Sequence, residues 1–203
     1  MKTSKPTLLL HSCCGPCSSS VLEKLLPEFN VTVFYYNPNI FPKTEYKKRL
    51  SEQKNYLKTI GINLIEGSFN PNEFFDAIKG QENLPEKSIR CYNCYHFRLK
   101  KTCEFAQNLG FDYFTTTLSV SPHKNADWLN EIGKSLSTPT TKFLPANFKK
   151  QNGYLRSLQL SKEHGFYRQE YCGCEMSMRA NLNKVENIKM FMVLCCFSSC
   201  LRK

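Results

Sequence analysis

Thr7-Leu8-Leu9-Leu10-His11-Ser12-Cys13-Cys14-Gly15-Pro16-Cys17-Ser18 is the stretch on which the reading turns. Its first five residues form a short apolar run bounded by a cysteine-rich turn, the signature of a strand buried on both faces. Pro16 suits the first turn of a following helix, where its missing N–H costs nothing, and Gly15 lets the chain turn tightly. We therefore expect a strand over Thr7–His11 and a helix over Ser18–Leu26 with Ser at its cap. Three thiols would then sit at a helix mouth, where unpaired N–H groups and the helix dipole favour thiolate.

The same alternation continues outward. Strands are expected at Val31–Tyr36, Asn63–Glu66, Tyr113–Leu118 and Lys142–Leu144. Helices are expected at Lys43–Ile60, Glu73–Lys79, Cys91–Leu109, Asn125–Leu136 and Leu155–Glu163, several closed by glycine. Strands alternating with helices of this length predict an α/β fold with a doubly wound parallel sheet, in which ligands bind beyond the carboxyl ends of the strands. The first cysteine cluster falls at such an end. The expected organisation is one α/β catalytic domain over residues 1–185 and an atypical tail over 186–203 carrying Cys195, Cys196 and Cys200.

The chain has 203 residues, 11 of them cysteine, and no apolar run long enough to span a bilayer. Without a signal-like leader, the expectation is a cytoplasmic protein with no membrane partner. In a reducing compartment clustered cysteines point to metal binding or redox chemistry rather than disulfide staples. The net charge of +11 favours a polyanionic partner such as nucleic acid, although dispersed lysines also serve plain solvation.

Two further clusters join the first. Cys91 and Cys94 stand three apart, so on a helix both sulfurs share a face. With Cys13, Cys14 and Cys17 of the first cluster they offer four or five thiolates, enough for a 4Fe-4S cluster or for tetrahedral zinc, and spacing does not separate the two metals. Cys172-Gly173-Cys174 is too tight for a routine structural disulfide and fits a strained, easily reduced one, the alternative being two more metal ligands. His11 and His96 lie next to cysteines and could support them from behind.

Taken together, LLLHSCCGPCSS, FYYNPNIFPKTEYKKR, CYNCYHFRL, GFDYFTTTLSVSPHKN and YRQEYCGC resemble, in order, the motifs of the QueH-type epoxyqueuosine reductases over Leu8 to Cys174. That resemblance implies an adenine-nucleotide-hydrolase-like, Rossmann-like fold and reduction of epoxyqueuosine to queuosine at the tRNA wobble position. It further implies a [4Fe-4S] cluster held by Cys13, Cys14, Cys91 and Cys94, a redox-active pair in Cys172 and Cys174, and an electron donor of unidentified kind. It leaves Cys17 for the cluster or for an additional iron. Candidates for contact with tRNA are Arg98 and Arg168, followed by Tyr46, Arg49, Tyr95 and Tyr167, since aromatic and cationic side chains stack on bases and meet phosphates. The chain departs from the family pattern at Asn147, where Asp is usual before Phe148, and after Arg179. A nucleotide-activating ATPase of the same fold is the first rival, opposed by a loop with one glycine and three cysteines where a phosphate cradle would be glycine-rich. A zinc-stabilised RNA-binding protein is the second.

Overall fold

The computed structural model describes residues 5–182. Five strands, β1 (Thr7–His11), β2 (Asn30–Tyr35), β3 (Leu64–Glu66), β4 (Tyr113–Thr116) and β5 (Lys142–Phe143), form one sheet in the order β3-β2-β1-β4-β5. All four pairings are parallel. Six α-helices fill the connections: α1 (Gly15–Leu25), α2 (Lys43–Thr59), α3 (Pro71–Ala77), α4 (Ile89–Asn108), α5 (Ala126–Ser135) and α6 (Gly153–Glu163). Residues 175–182 are helical as well.

Leu8, Leu9 and Leu10 of β1 are wholly buried because the sheet is covered on both faces. Side chains alternate along a strand, so Leu9 packs with Phe34, Phe114, Leu99 of α4 and Leu129 of α5. Leu8 and Leu10 pack on the opposite face with Val31, Val33, Val21 and Leu22 of α1, and Leu57 of α2. Each buried leucine contributes about 2 kcal/mol relative to exposure, which fixes β1 at the centre of the sheet. β1 has β2 on one side and β4 on the other, so the order of strands reverses there. The crevice beyond the carboxyl ends of β1 and β4 is where a doubly wound sheet binds ligands.

The doubly wound parallel sheet read from the sequence is the one found, with shifts at element ends. Helix α1 begins at Gly15 rather than Ser18, with Cys14 extended at the capping position (φ −171°). Strand β4 stops at Thr116, where the Thr116 hydroxyl accepts from the Leu118 N–H at 3.2 Å and turns the chain into a 3-10 turn over Thr117–Val120. That turn aims the loop after β4 back over the crevice. Helix α4 starts two residues before Cys91, at Ile89. The expected boundary at residue 185 and the tail cysteines Cys195, Cys196 and Cys200 lie outside the described residues. No helix among the described residues is long and apolar enough to cross a membrane.

Candidate active site

The loop after β1 is pinned before it offers its sulfurs. The Ser12 N–H extends the sheet by donating to the Phe34 carbonyl at 2.9 Å, and Asn37 Nδ2 donates to the Ser12 carbonyl at 2.8 Å. The Ser18 side chain donates to the Cys14 carbonyl at 2.9 Å, and its N–H reaches the same oxygen at 3.2 Å. Gln53 of α2 braces both serines, its Oε1 lying 3.1 Å from Ser12 Oγ and 2.9 Å from Ser18 Oγ. On this frame the sulfurs of Cys13, Cys14 and Cys17 all lie within 4.8 Å of one another.

Cys13 is the acceptor of the trio. Hydrogen bonds from Cys14 and then Cys17, with the cations Arg98 and Arg49 behind them, hold its thiol well below the ordinary value. Donating to Cys13 pushes the Cys14 thiol up to about 12. Gln169 Nε2 adds a hydrogen bond to Cys14 Sγ at 3.3 Å. Three soft donors at this spacing, among cations that favour thiolate, fit a thiolate-bound metal site. The Cys13–Cys14 separation of 3.8 Å equals the roughly 3.8 Å between two thiolates on one tetrahedral ion with bonds of about 2.3 Å.

Cys91 and Cys94 stand outside that trio. Both lie on α4, where Cys91 Sγ accepts from the Lys87 N–H at 3.3 Å and burial pushes the Cys94 thiol up. Arg98, one turn beyond Cys94, joins the groups. It is 2% exposed, donates from Nη2 to Asn37 Oδ1 at 2.5 Å, and its Nε has no partner among the described residues. Its charge persists in this buried setting because Cys94, Cys13 and Cys172 surround it, outweighing the cost of burial.

Cys172-Gly173-Cys174 is clamped against α2 and the loop before it. The Phe41 N–H donates to the Gly173 carbonyl at 2.8 Å, and Arg49 reaches the Cys172 and Tyr171 carbonyls at 3.4 Å while paired to Glu45 at 2.7 Å. Gly173 sits at φ +121°, a conformation that side-chain-bearing residues rarely adopt. The two sulfurs differ. Lys124 Nζ donates to Cys172 Sγ, and Arg90 Nη1 donates to Cys174 Sγ at 3.4 Å. A hydrogen bond from Cys174, together with the Lys124 ammonium, holds the Cys172 thiol well below its ordinary value, and that same hydrogen bond pushes the Cys174 thiol up.

One cavity of about 620 Å³ joins these parts and is lined by Cys13, Cys17, Cys172, Arg98, Lys124 and Arg168 among others. Arg168 is exposed and donates to Ser161 Oγ at 2.9 Å. Of the other candidates for RNA contact, Tyr46, Arg49 and Tyr95 are buried and cannot stack on a base, because the core claims their side chains. Tyr167 remains at the surface with Lys48 Nζ 3.3 Å from its ring centre. His11 is a buried neutral residue bridging Thr116 Oγ1 (2.8 Å) and the Tyr36 carbonyl (3.2 Å), its pKa lowered to about 3 chiefly by burial, while His96 is exposed. Sequence reasoning missed Lys124 and Arg90. The available signal for Lys124 was a cation in the connection between the strand that ends beside the first cluster and the next helix.

A family model described as "Epoxyqueuosine reductase QueH" matches residues 8–180. Proteins of that name from Streptococcus pyogenes serotype M1 and Acinetobacter baylyi are 41% and 39% identical to the chain. The first match covers 84% of this chain and 69% of the relative, and the second covers 85% and 80%. The Thermotoga maritima protein of the same name is 36% identical, with 85% and 90% covered. Among solved structures, the U34-tRNA thiolase NcsA from Methanococcus maripaludis with its [4Fe-4S] cluster superposes with a TM-score of 0.55. It is 14% identical, over 93% of this chain and 68% of the thiolase, which is a likeness of fold. With the motifs in order across one crevice and relatives of this identity along most of its length, the chain belongs to the QueH epoxyqueuosine reductase family.

Proposed function

We propose that this chain reduces epoxyqueuosine to queuosine at the wobble position of tRNA, using a [4Fe-4S] cluster and the Cys172–Cys174 pair. The observation that carries the reading is the single cavity that brings Cys13 and Cys17 of the first cluster to Cys172 of the pair, with cations around them. In this proposal Cys13, Cys14, Cys91 and Cys94 hold the cluster, and Cys17 is free to serve an additional iron. When bound, the cluster would supply a path for electrons, and the additional iron would supply an electrophilic metal.

The residues of the chain supply the rest. Removing the epoxide oxygen breaks two C–O bonds, forms a carbon–carbon double bond and releases water, which consumes two electrons and two protons. Closure of Cys172 and Cys174 to a disulfide provides two electrons, and an external donor restores the thiols. Arg98, buried in the cavity wall, orients an oxygen-bearing substrate, and Arg168 at the exposed edge meets phosphate.

The test is anaerobic turnover of an RNA stem-loop carrying epoxyqueuosine, read as loss of one oxygen in the nucleoside mass spectrum. Cys172→Ser should bring turnover to background, and unchanged turnover would remove the pair from the reaction. The tight Cys13–Cys14 spacing suits zinc equally, which keeps a zinc-stabilised RNA-binding protein as the second reading. Metal analysis decides between them: zinc without iron or visible absorption, in a chain that does not turn over, would establish the second.

A further inference from the structure

Two residues apart in sequence, Cys172 and Cys174 occupy different surroundings. Cys172 lines the cavity beside Lys124, with its own N–H tied to Ser177 Oγ at 3.0 Å. Cys174 is 6% exposed, packs with Phe74 and Ile78, and does not line the cavity. A molecule in the cavity therefore meets one sulfur and not the other. The charged and titratable groups facing Cys172 are Lys124 from the loop after β4, Glu86 from the loop before α4, Cys94, Tyr95 and Arg98 from α4, and Cys174. Lys124 is the one that touches its sulfur from the cavity side. The Lys124 backbone is itself held, since its carbonyl accepts from Lys149 Nζ at 2.8 Å.

We propose that the pair is asymmetric: Cys172, positioned by Lys124, is the sulfur that exchanges with a dithiol reductant entering the cavity, and Cys174 is the sulfur released when it does. This rests on the reading of Cys172 and Cys174 as a redox pair. In the first step a thiolate of the reductant attacks Cys172 Sγ. A mixed disulfide forms, the Cys172–Cys174 bond breaks, and its electron pair leaves on Cys174 Sγ beside the Arg90 guanidinium, where it takes up a proton. In the second step the reductant's other thiolate attacks its own sulfur in the mixed disulfide. The reductant leaves as a disulfide, Cys172 is released as thiolate against the Lys124 ammonium, and the remaining proton goes to solvent. Two electrons pass from the dithiol to the pair. Attack on Cys172 has open space on the cavity side, whereas attack on Cys174 would require prising apart its packing with Phe74 and Ile78.

The experiment uses the full chain, anaerobic and reduced, with hydroxyethyl disulfide as the probe and peptide mass spectrometry to read each cysteine separately. In Cys174→Ser the mixed disulfide should accumulate on Cys172, and in Cys172→Ser Cys174 should be labelled at least about tenfold more slowly. Lys124→Met should slow labelling of Cys172 about tenfold, while Lys124→Arg keeps it within about twofold, as thiolate reactivity depends on a neighbouring cation. Equal rates at the two sulfurs, or a folded Lys124→Met chain with unchanged labelling of Cys172, would overturn the proposal. Should Lys124→Met not fold, the two cysteine variants still decide the asymmetry. No RNA enters this experiment. A chain that shows the asymmetry yet leaves epoxyqueuosine intact sinks the reductase reading alone, and one that turns over with a symmetric pair sinks this inference alone.

Discussion

Gly173 shows how closely the redox pair depends on one backbone angle. A Cβ added there would stand 3.0 Å from Arg49 Nη1 and 3.3 Å from Ile40 Cγ1, at φ +121°. Gly173→Ala should therefore lower stability by about 1–3 kcal/mol, the range for a strained backbone, measured by urea unfolding of the reduced chain. An unchanged midpoint would mean that the segment moves freely. The metal ligands allow a sharper test, because sequence and geometry group the thiols differently. The family resemblance marks Cys13, Cys14, Cys91 and Cys94, whereas the sulfurs that converge within 4.8 Å are those of Cys13, Cys14 and Cys17. If α4 supplies cluster ligands, Cys94→Ser should remove most of the visible absorption and iron of the anaerobic protein, and Cys17→Ser should retain most of both. The reverse pattern would make the trio the primary site.

At the scale of elements, the alternation of strands and helices was legible because it is written in local hydrophobic periodicity, as in Leu8–Leu10 and Val31–Tyr35. The start of α1 was not. Ser18 looks like a cap because serine usually is one, but its hydroxyl turns back to the Cys14 carbonyl under the control of Gln53, a residue of α2 that no local pattern connects to it. The neighbour of Gln53, Glu52, is the strained member of this junction. Glu52 Oε1 accepts from the Tyr167 N–H, while Oε2 is buried with no partner among the described residues, and burial pushes its carboxyl pKa up. A raised folded pKa means that the neutral form is favoured on folding. Its contribution is fully present below the unfolded value, about 4.3, and is lost as pH rises through the folded one. Glu52→Gln keeps the acceptor and removes the charge. It should stabilise the protein at pH 7 and make no difference below about pH 4, measured by urea midpoints across that range. A gain that persists unchanged in acid would assign the effect to something other than this carboxyl.

For the whole molecule, the three cysteine clusters were visible singly, and what sequence could not show was that the first and the third open onto one cavity. Convergence depends on β1 and β4 being neighbours in the sheet, which places the loop that carries Lys124 over the loop that carries Cys13, and on the clamp that Arg49 applies to the segment around Cys172. The net charge of +11 is likewise legible as a number, whereas its use depends on which cations are exposed. Arg168 is exposed at the cavity, and Arg98 is sealed in its wall. The two should therefore fail differently. If the chain meets about four phosphates of an anticodon stem-loop, affinity should fall about a hundredfold between ~0.05 M and ~0.2 M salt, the counterions released on binding setting the slope. Arg168→Gln should flatten that log–log slope by about one and weaken binding to all stem-loops alike. Arg98→Gln should leave the slope unchanged and lower turnover at saturating RNA, because a buried guanidinium releases no counterions when RNA binds. Titrations of both variants at several salt concentrations, beside single-turnover rates, separate the roles, and a slope that responds to Arg98 but not to Arg168 would reverse the assignment.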